Sequence, residues 1–300
     1  MVTFGRHSYI PGHELNSAGT REVTSIARKV LSPDDAKNER DILELIRDLK
    51  HPNIIEFLGP YEQGGQISLL FPLADMNLKE FLLYEKPHRM KTRDIYAAAH
   101  GLADALSNLH NFFLEPEDEA PAIRKAGCHY GLRPRNILVY RGTFVRADFG
   151  LSKLGPDDQD SKTPVSGCES DDYMPPGTLY YSNGYKKGLI GRASDSWAFG
   201  CILAELATFI EGRDVGEFRT SRRATFMLGS IEFSNYEFHL HGKIRPSVTK
   251  RLDDLKRQRE NGQTAGLLEV AYKLMNPDSD SRAKISEVVP KLKALAVDAT

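Results

Sequence analysis

The segment Ala193–Ile210 (ASDSWAFGCILAELATFI) is apolar nearly all round. A helix on a surface keeps a polar face, so this one must lie at the centre of a domain with other elements packed around it. The chain is long enough to supply them: 300 residues with 40% hydrophobic content suffice for one large domain or two modest ones. No apolar run matches the roughly 18 uncharged residues of a membrane span. The start, MVTFGRHSYIPGHE, lacks the apolar core of a secretory signal, so cytosol or nucleus is the expected compartment. Forty basic residues almost cancel 41 acidic ones, which argues against a whole-chain binder of nucleic acid or anionic lipid. Cys128, Cys168 and Cys201 are far apart and form no zinc or disulfide pattern, as suits a reducing environment.

Upstream the pattern changes. Val23–Leu31 (VTSIARKVL) starts β-rich, and Ile67–Leu73 (ISLLFPL) is an apolar run of strand length. Between them Asn38–Leu49 (NERDILELIRDL) sets Ile42, Leu45, Ile46 and Leu49 on one helical face behind an acidic start. Thr92–Phe113 places Ile95, Ala98, Leu102, Leu106 and Leu109 at steps of three and four, as in a long buried helix. A polar loop is expected from there to Ala126, followed by a hairpin, Ile137–Tyr140 and Thr143–Ala147, about an Arg-Gly turn. Leu267–Met275 and Ile285–Leu295 read as helices, Glu115–Glu119 and Gly155–Ser161 as loops, and Glu211–Gln263 is charged and unassigned. The sum is an α+β chain. A small strand-rich part with one helix joins a larger helical part near Pro72–Asn77, and the cleft between unequal lobes is the expected ligand site.

His129–Leu138 reads HYGLRPRNIL and Ala147–Gly150 reads ADFG. HPNII from His51, GTLYYSNGY at Gly177–Tyr185, SDSWAFG at Ser194–Gly200 and NPDSDSR at Asn276–Arg282 accompany them in order. Together these motifs resemble the eukaryotic protein kinase domain of the serine/threonine type, over roughly residues 2 to 297. The resemblance implies a two-lobed fold, with the small lobe over residues 1–74 and the larger helical lobe over 75–300.

It also implies roles. Asn136 and Asp148 match the pair that holds magnesium, because hard divalent cations take oxygen ligands and a transferred phosphate needs its charge neutralised. Taken singly, Asp148 also reads as a turn residue and Asn136 as a capping amide. Lys29 matches the lysine that contacts ATP phosphates, with Glu39, or Asp41 when counted back from His51, as its helix partner; a solvated face is the alternative for Lys29. Arg28 would lie on the opposite face of the strand. Pro72 and Ala74 would offer backbone groups to adenine, with Phe71 behind them; Pro72 lacks an N–H but keeps its carbonyl. His129 and Arg133 belong to the catalytic loop, Arg133 standing where serine/threonine kinases usually carry lysine.

Several positions depart from the pattern. Gly131 stands where the family keeps the aspartate that takes the substrate hydroxyl's proton, and glycine offers neither oxygen nor charge. Losing a general base costs about 10²–10⁴-fold in rate. Tyr130 replaces the arginine that pairs with a phosphorylated activation segment. Asn183, Gly184 and Tyr185 fall where Ala-Pro-Glu should be, so the glutamate partner of Arg282 is missing; Arg282 is expected to meet Asp278, Asp280 or solvent. Of the glycine-rich loop only Gly5 in TFG remains, since PGHELNSAG at Pro11–Gly19 does not fit the spacing, and the first strand is expected to be absent or truncated. Ser161, Thr163, Ser166, Ser170 and Tyr173 are hydroxyls of the activation segment.

These residues lead to a principal expectation and two alternatives. The first is a pseudokinase that binds ATP and Mg2+ with impaired or absent phosphotransfer and acts as a scaffold or regulator of a protein partner. The second is a weak serine/threonine kinase that passes the γ-phosphate to a protein substrate. The third is an interaction module that binds no nucleotide. None calls for nucleic acid or a membrane span, and no motif encodes the substrate, the partner or the oligomeric state.

Overall fold

The computed structural model describes residues 10–15, 21–83, 90–114, 123–128, 131–150, 153–156, 163–164, 172–181, 185–187, 189–228, 230–258 and 262–299. Four strands, β1 (Ile10–Leu15), β2 (Arg21–Leu31), β3 (Gly59–Gln63) and β4 (Gln66–Pro72), form an antiparallel sheet in the order β1-β2-β4-β3. The segment from Pro11, whose glycine spacing does not fit the phosphate loop, is strand as far as Leu15 and pairs with β2.

Helix α1 (Pro33–Ile46) follows β2 after the single residue Ser32, whose hydroxyl accepts from the Asp35 N–H at 3.3 Å. It begins five positions before Asn38, because Ser-Pro is a start signal that the apolar period of this polar first turn does not reveal. Its buried face is Ala36, Glu39, Ile42, Leu43 and Ile46, with Leu43 rather than Leu45 inside. That face packs with Ile54, Ile55, Phe57 and Leu69, and also with Ala105, Leu109, Val145 and Phe149 from the larger part, so one core continues from lobe to lobe.

Short strand β5 (Met76–Asn77) leads into α2 (Leu78–Leu83) and the long helix α3 (Thr92–His110), which ends before Phe113. Strand β6 (Phe113–Leu114) then pairs with β7 (Ile123–Cys128). The hairpin is formed by β8 (Ile137–Tyr140) and β9 (Thr143–Arg146), with Arg141 at φ 49° and Gly142 at φ 75°. Two consecutive residues at positive φ make the turn that matches strand twist. Strand β10 (Lys153–Pro156) pairs with β7, so two expected loops contain strand. Neither strand alternates clearly in sequence; each is specified by its partner.

Short strands β11 (Thr163–Pro164), β12 (Leu179–Tyr181), β13 (Tyr185–Lys187) and β14 (Leu189–Ile190) pair as β11 with β14 and β12 with β13. The all-apolar segment is α4 (Arg192–Ile210), buried at every residue from Asp195 to Thr208. The unassigned stretch after it contains α5 (Val215–Thr220), a hairpin of β15 (Ala224–Leu228) with β16 (Ile231–Asn235), and α6 (Pro246–Gln258). Helices α7 (Gln263–Leu274) and α8 (Ile285–Asp298) complete the shell, with α7 against α4 and α8 against α3. No helix among the described residues is long and apolar enough to cross a membrane.

Candidate functional site

Alternation along β2 sends neighbouring cations to opposite faces. Arg28 donates to Ser68 Oγ at 2.8 Å and lies over the Tyr61 ring, whereas Lys29 points into the cleft. There Lys29 Nζ donates to Glu39 Oε1 at 2.9 Å, Glu39 Oε2 at 2.7 Å and Asp148 Oδ1 at 2.7 Å. An interval of ten residues suffices because α1 starts so soon after β2, which brings Glu39 on its second turn opposite the lysine. Asp41 is exposed and pairs with Arg40, so it takes no part. Burial pulls the Lys29 ammonium down, but the Asp148 and Glu39 carboxylates outweigh it and hold the group above its ordinary pKa. Burial likewise lifts Glu39 above the usual carboxylate range against the pull of Lys29.

Asp148 has φ 61°, a left-handed conformation that a short polar side chain tolerates. The next residue, Phe149, is fully buried in the core shared with α1 and α3. Asn136 ends a 3₁₀ turn at Pro134–Asn136, and its carbonyl accepts from Ala147 N–H at 2.9 Å, which ties it to the segment carrying Asp148. Its Nδ2 donates to the Gly131 carbonyl at 2.8 Å, as a capping amide would, but its buried Oδ1 has no hydrogen-bond partner among the described residues. A buried amide oxygen left without a donor, on a residue tied to the segment that carries a carboxylate, has the chemistry that a hard cation takes. Gly131 contributes only that carbonyl, and Arg133 is half-buried in extended backbone. His129, Tyr130, Gly5, Asn183, Gly184 and the hydroxyls of Ser161, Ser166 and Ser170 lie outside the described residues.

The link between lobes is pinned on both sides. Leu73 N–H donates to Ser25 O at 3.2 Å and Asp75 N–H to Val139 O at 3.0 Å, which leaves the Ala74 amide between them without a backbone partner among the described residues. Pro72 is buried at the end of β4, and Phe71 packs its ring 5.9 Å from that of Phe57. On the far side of α1, Asn53 donates to Phe144 O at 2.7 Å and Thr143 Oγ1 at 3.1 Å. Gly101 on α3 is what admits it, since a Cβ there would sit 2.4 Å from Asn53 Oδ1.

Three buried arginines were not foreseen in their surroundings. Arg282 meets neither an acid nor solvent. It is 6% exposed, donates to the carbonyls of Asn276 at 2.7 Å, Ala193 at 2.7 Å and Pro277 at 3.2 Å, and lies over the Trp197 ring. Backbone oxygens therefore replace the missing glutamate, while Asp278 is occupied by Ser281 at 2.6 Å. Arg222 pairs with Glu205 at 3.0 Å, and the Tyr173 hydroxyl donates to the same carboxylate at 2.8 Å. Asp172 pairs with Arg219 at 2.7 Å, so this stretch is fastened to α4 and α5. Arg146, fully buried at the end of β9, has no hydrogen bond at any guanidinium nitrogen among the described residues and lies 5.3 Å over the Phe149 ring. The one signal for it in the sequence is a charge at the end of an otherwise apolar strand.

The fold and the cleft fit one class. A family model for the protein kinase domain matches residues 18–291, and the chain belongs to that family. Serine/threonine-protein kinase CDG1 of Arabidopsis thaliana is 27% identical over 286 residues, which is 90% of this chain and 59% of that protein. Cyclin-dependent kinase 7 of Dictyostelium discoideum is 26% identical over 247 residues, 79% of this chain and 62% of that one. Serine/threonine-protein kinase 36 of Pongo abelii is 26% identical over 206 residues, 68% of this chain and 14% of the relative. In none of the three does the match reach two thirds of the relative's length. Protein kinase domains in general use ATP and Mg2+.

Proposed function

We propose that this chain is a protein kinase domain that binds ATP and Mg2+ but transfers phosphate poorly or not at all, and that it serves as a regulator or scaffold for a protein partner. The observation that carries this reading is the contrast within one cleft. Lys29 is engaged within 3 Å by both Glu39 and Asp148, yet Gly131 offers no side chain at the base position. We take the smaller lobe to be residues 1–74 and the larger 75–300. Free cysteine Cys201, buried, fits a reducing compartment.

In this reading Lys29, held charged by its two carboxylates, meets the nucleotide phosphates, while Pro72 O and Ala74 N–H border adenine. Asn136 Oδ1 and Asp148 would hold magnesium, which when bound supplies charge neutralisation to the phosphates. With no side-chain carboxylate at position 131, the hydroxyl of an acceptor keeps its proton and is not oriented, at a cost of about 10²–10⁴-fold. What Lys29 and the oxygen donors do by charge does not depend on that position. Their intact geometry is also the observation that favours the second reading, a weak serine/threonine kinase.

Thermal unfolding with ATP, with and without Mg2+, tests the nucleotide claim, because a ligand of the native state raises its stability by mass action. A magnesium-dependent rise is expected that Asp148→Asn abolishes; no rise at about 1 mM ATP would defeat both nucleotide-dependent readings. Transfer of radiolabelled phosphate by wild type and Gly131→Asp separates the two. Wild-type turnover in the ordinary kinase range of about 1–100 s⁻¹ would overturn the pseudokinase reading.

A further inference from the structure

Three cations from separate elements gather beside the segment that carries Gly131 and Asn136. Lys79 lies on α2, Arg135 in the 3₁₀ turn ending at Asn136, and Arg219 on α5, and α2 packs against both of the others. Arg135 is exposed and Lys79 half-buried, and among the described residues neither makes a hydrogen bond or an ion pair. Arg219 is committed to Asp172 at 2.7 Å and to the face of Tyr236.

The nearby acids do not compensate. Glu80, next to Lys79, accepts from the Asn77 N–H at 3.0 Å at the start of its own helix, and Glu205 is taken up by Arg222 and Tyr173. Burial, followed by Arg135 and then Arg219, holds the Lys79 ammonium below its ordinary value, against the weaker opposing pull of Asp172 and Glu205. Lys79 and Arg135, neither of them ion-paired among the described residues, repel one another in the free protein, and an anion entering between them removes that cost. A guanidinium in the cluster favours phosphate, whose oxygens match its planar fork.

We propose that Lys79 and Arg135 form a receptor for a phosphoserine or phosphothreonine on a protein segment laid across the larger lobe beside Gly131. The proposal rests on the reading of this domain as one that receives a protein partner. It is tested by binding alone, so it can fail or succeed independently of any transfer activity.

The probes are fluorescein-labelled degenerate peptide pools fixed at their centre as phosphoserine, aspartate or serine, followed by fluorescence anisotropy on the full chain at low salt. The phosphoserine pool is expected to bind about tenfold more tightly than the serine pool, and the advantage should shrink as salt screens the charges. Lys79→Gln with Arg135→Gln should bring the phosphoserine pool down to the serine level. Neither residue belongs to the buried core and their repulsion is relieved, so the thermal midpoint of the double variant should be no lower than that of wild type. Equal affinity for the phosphoserine and serine pools, or an advantage that survives in the double variant, would overturn the receptor. Aspartate binding as tightly as phosphoserine would overturn the choice of phosphate. Inorganic phosphate that competes as well, mole for mole, as the phosphopeptide pool would overturn the assignment to a protein segment.

Discussion

Arg146 and Arg282 are both buried, and burial pulls both guanidinium groups down to a pKa of about 10, yet replacing them by methionine is expected to move stability in opposite directions. Each pKa unit corresponds to about 1.4 kcal/mol, so the charged form of Arg146 carries a penalty of roughly 3 kcal/mol. That figure already includes the favourable Asp195 carboxylate, and the Phe149 face recovers about 1–2 kcal/mol more for a desolvated pair. It gains nothing from hydrogen bonds, because Nε, Nη1 and Nη2 make none. A methionine of similar length keeps the packing and carries no charge, so Arg146→Met should stabilise by about 1–3 kcal/mol. Arg282→Met removes three charge-assisted bonds and strands three carbonyls, and should destabilise by about 3–5 kcal/mol. The assay is urea unfolding followed by the fluorescence of Trp197, the single tryptophan, which lies on α4. The midpoint should rise for the first variant and fall for the second, with unchanged slope. Destabilisation of Arg146→Met by more than about 1 kcal/mol would show that the Asp195 charge and the ring face outweigh the burial cost, and the reasoning from unmade hydrogen bonds would be wrong.

Lys29→Met leaves Glu39 buried without its counter-charge and should cost about 3 kcal/mol, while adding Glu39→Gln to it should restore part of the loss in the same urea titration. His239 is held at about 4 by burial, with Arg245 and Arg282 acting in the same direction. Its folded pKa is thus depressed below the unfolded one, so its contribution is complete above about pH 6.5 and is lost as pH falls through about 4, amounting to roughly 3 kcal/mol. His239→Asn should flatten that part of a stability profile measured between those limits. Gly131→Asp should raise phosphotransfer by at least about 10²-fold if the rest of the cleft is competent, measured with ATP and a generic hydroxyl-bearing peptide pool.

The parts of the fold legible in the sequence are those in which one physical cause acts alone. The helix from Arg192 is specified by having no polar face, and the turn at Arg141-Gly142 by the chemistry of positive φ. Strands β7 and β10 were misread as loops because their register comes from each other rather than from an alternating pattern. The choice between Glu39 and Asp41 as the partner of Lys29 is not legible in the apolar period, which starts the helix at Asn38; the Ser32 cap starts α1 at Pro33 and brings Glu39 opposite the lysine. Arg282 was expected to need an acid, since side-chain pairing can be inferred from residue types. Its actual partners are main-chain oxygens of Ala193, Asn276 and Pro277, and any sequence could have supplied those.

The same distinction bears on the cleft. Losing the side chain at position 131 removes a group that acts on a substrate, and the backbone there keeps its contact with the fold, the Gly131 carbonyl that accepts from Asn136 Nδ2. Losing Lys29 would strand Glu39, whose carboxyl is already lifted by burial. The intact half of the site is therefore also holding α1 against β2, and its presence alone is weak evidence for nucleotide binding. Asn136 Oδ1 is stronger evidence. It is buried on a residue tied to the segment of Asp148, makes no hydrogen bond among the described residues, and contributes nothing to them that a hydrogen-bonded or apolar group would not supply better. A structural remnant would gain by losing such an atom, whereas a domain that takes up a cation there requires it. The magnesium dependence of the ATP-induced stabilisation is for that reason the measurement that separates the nucleotide-dependent readings from a module that binds no nucleotide.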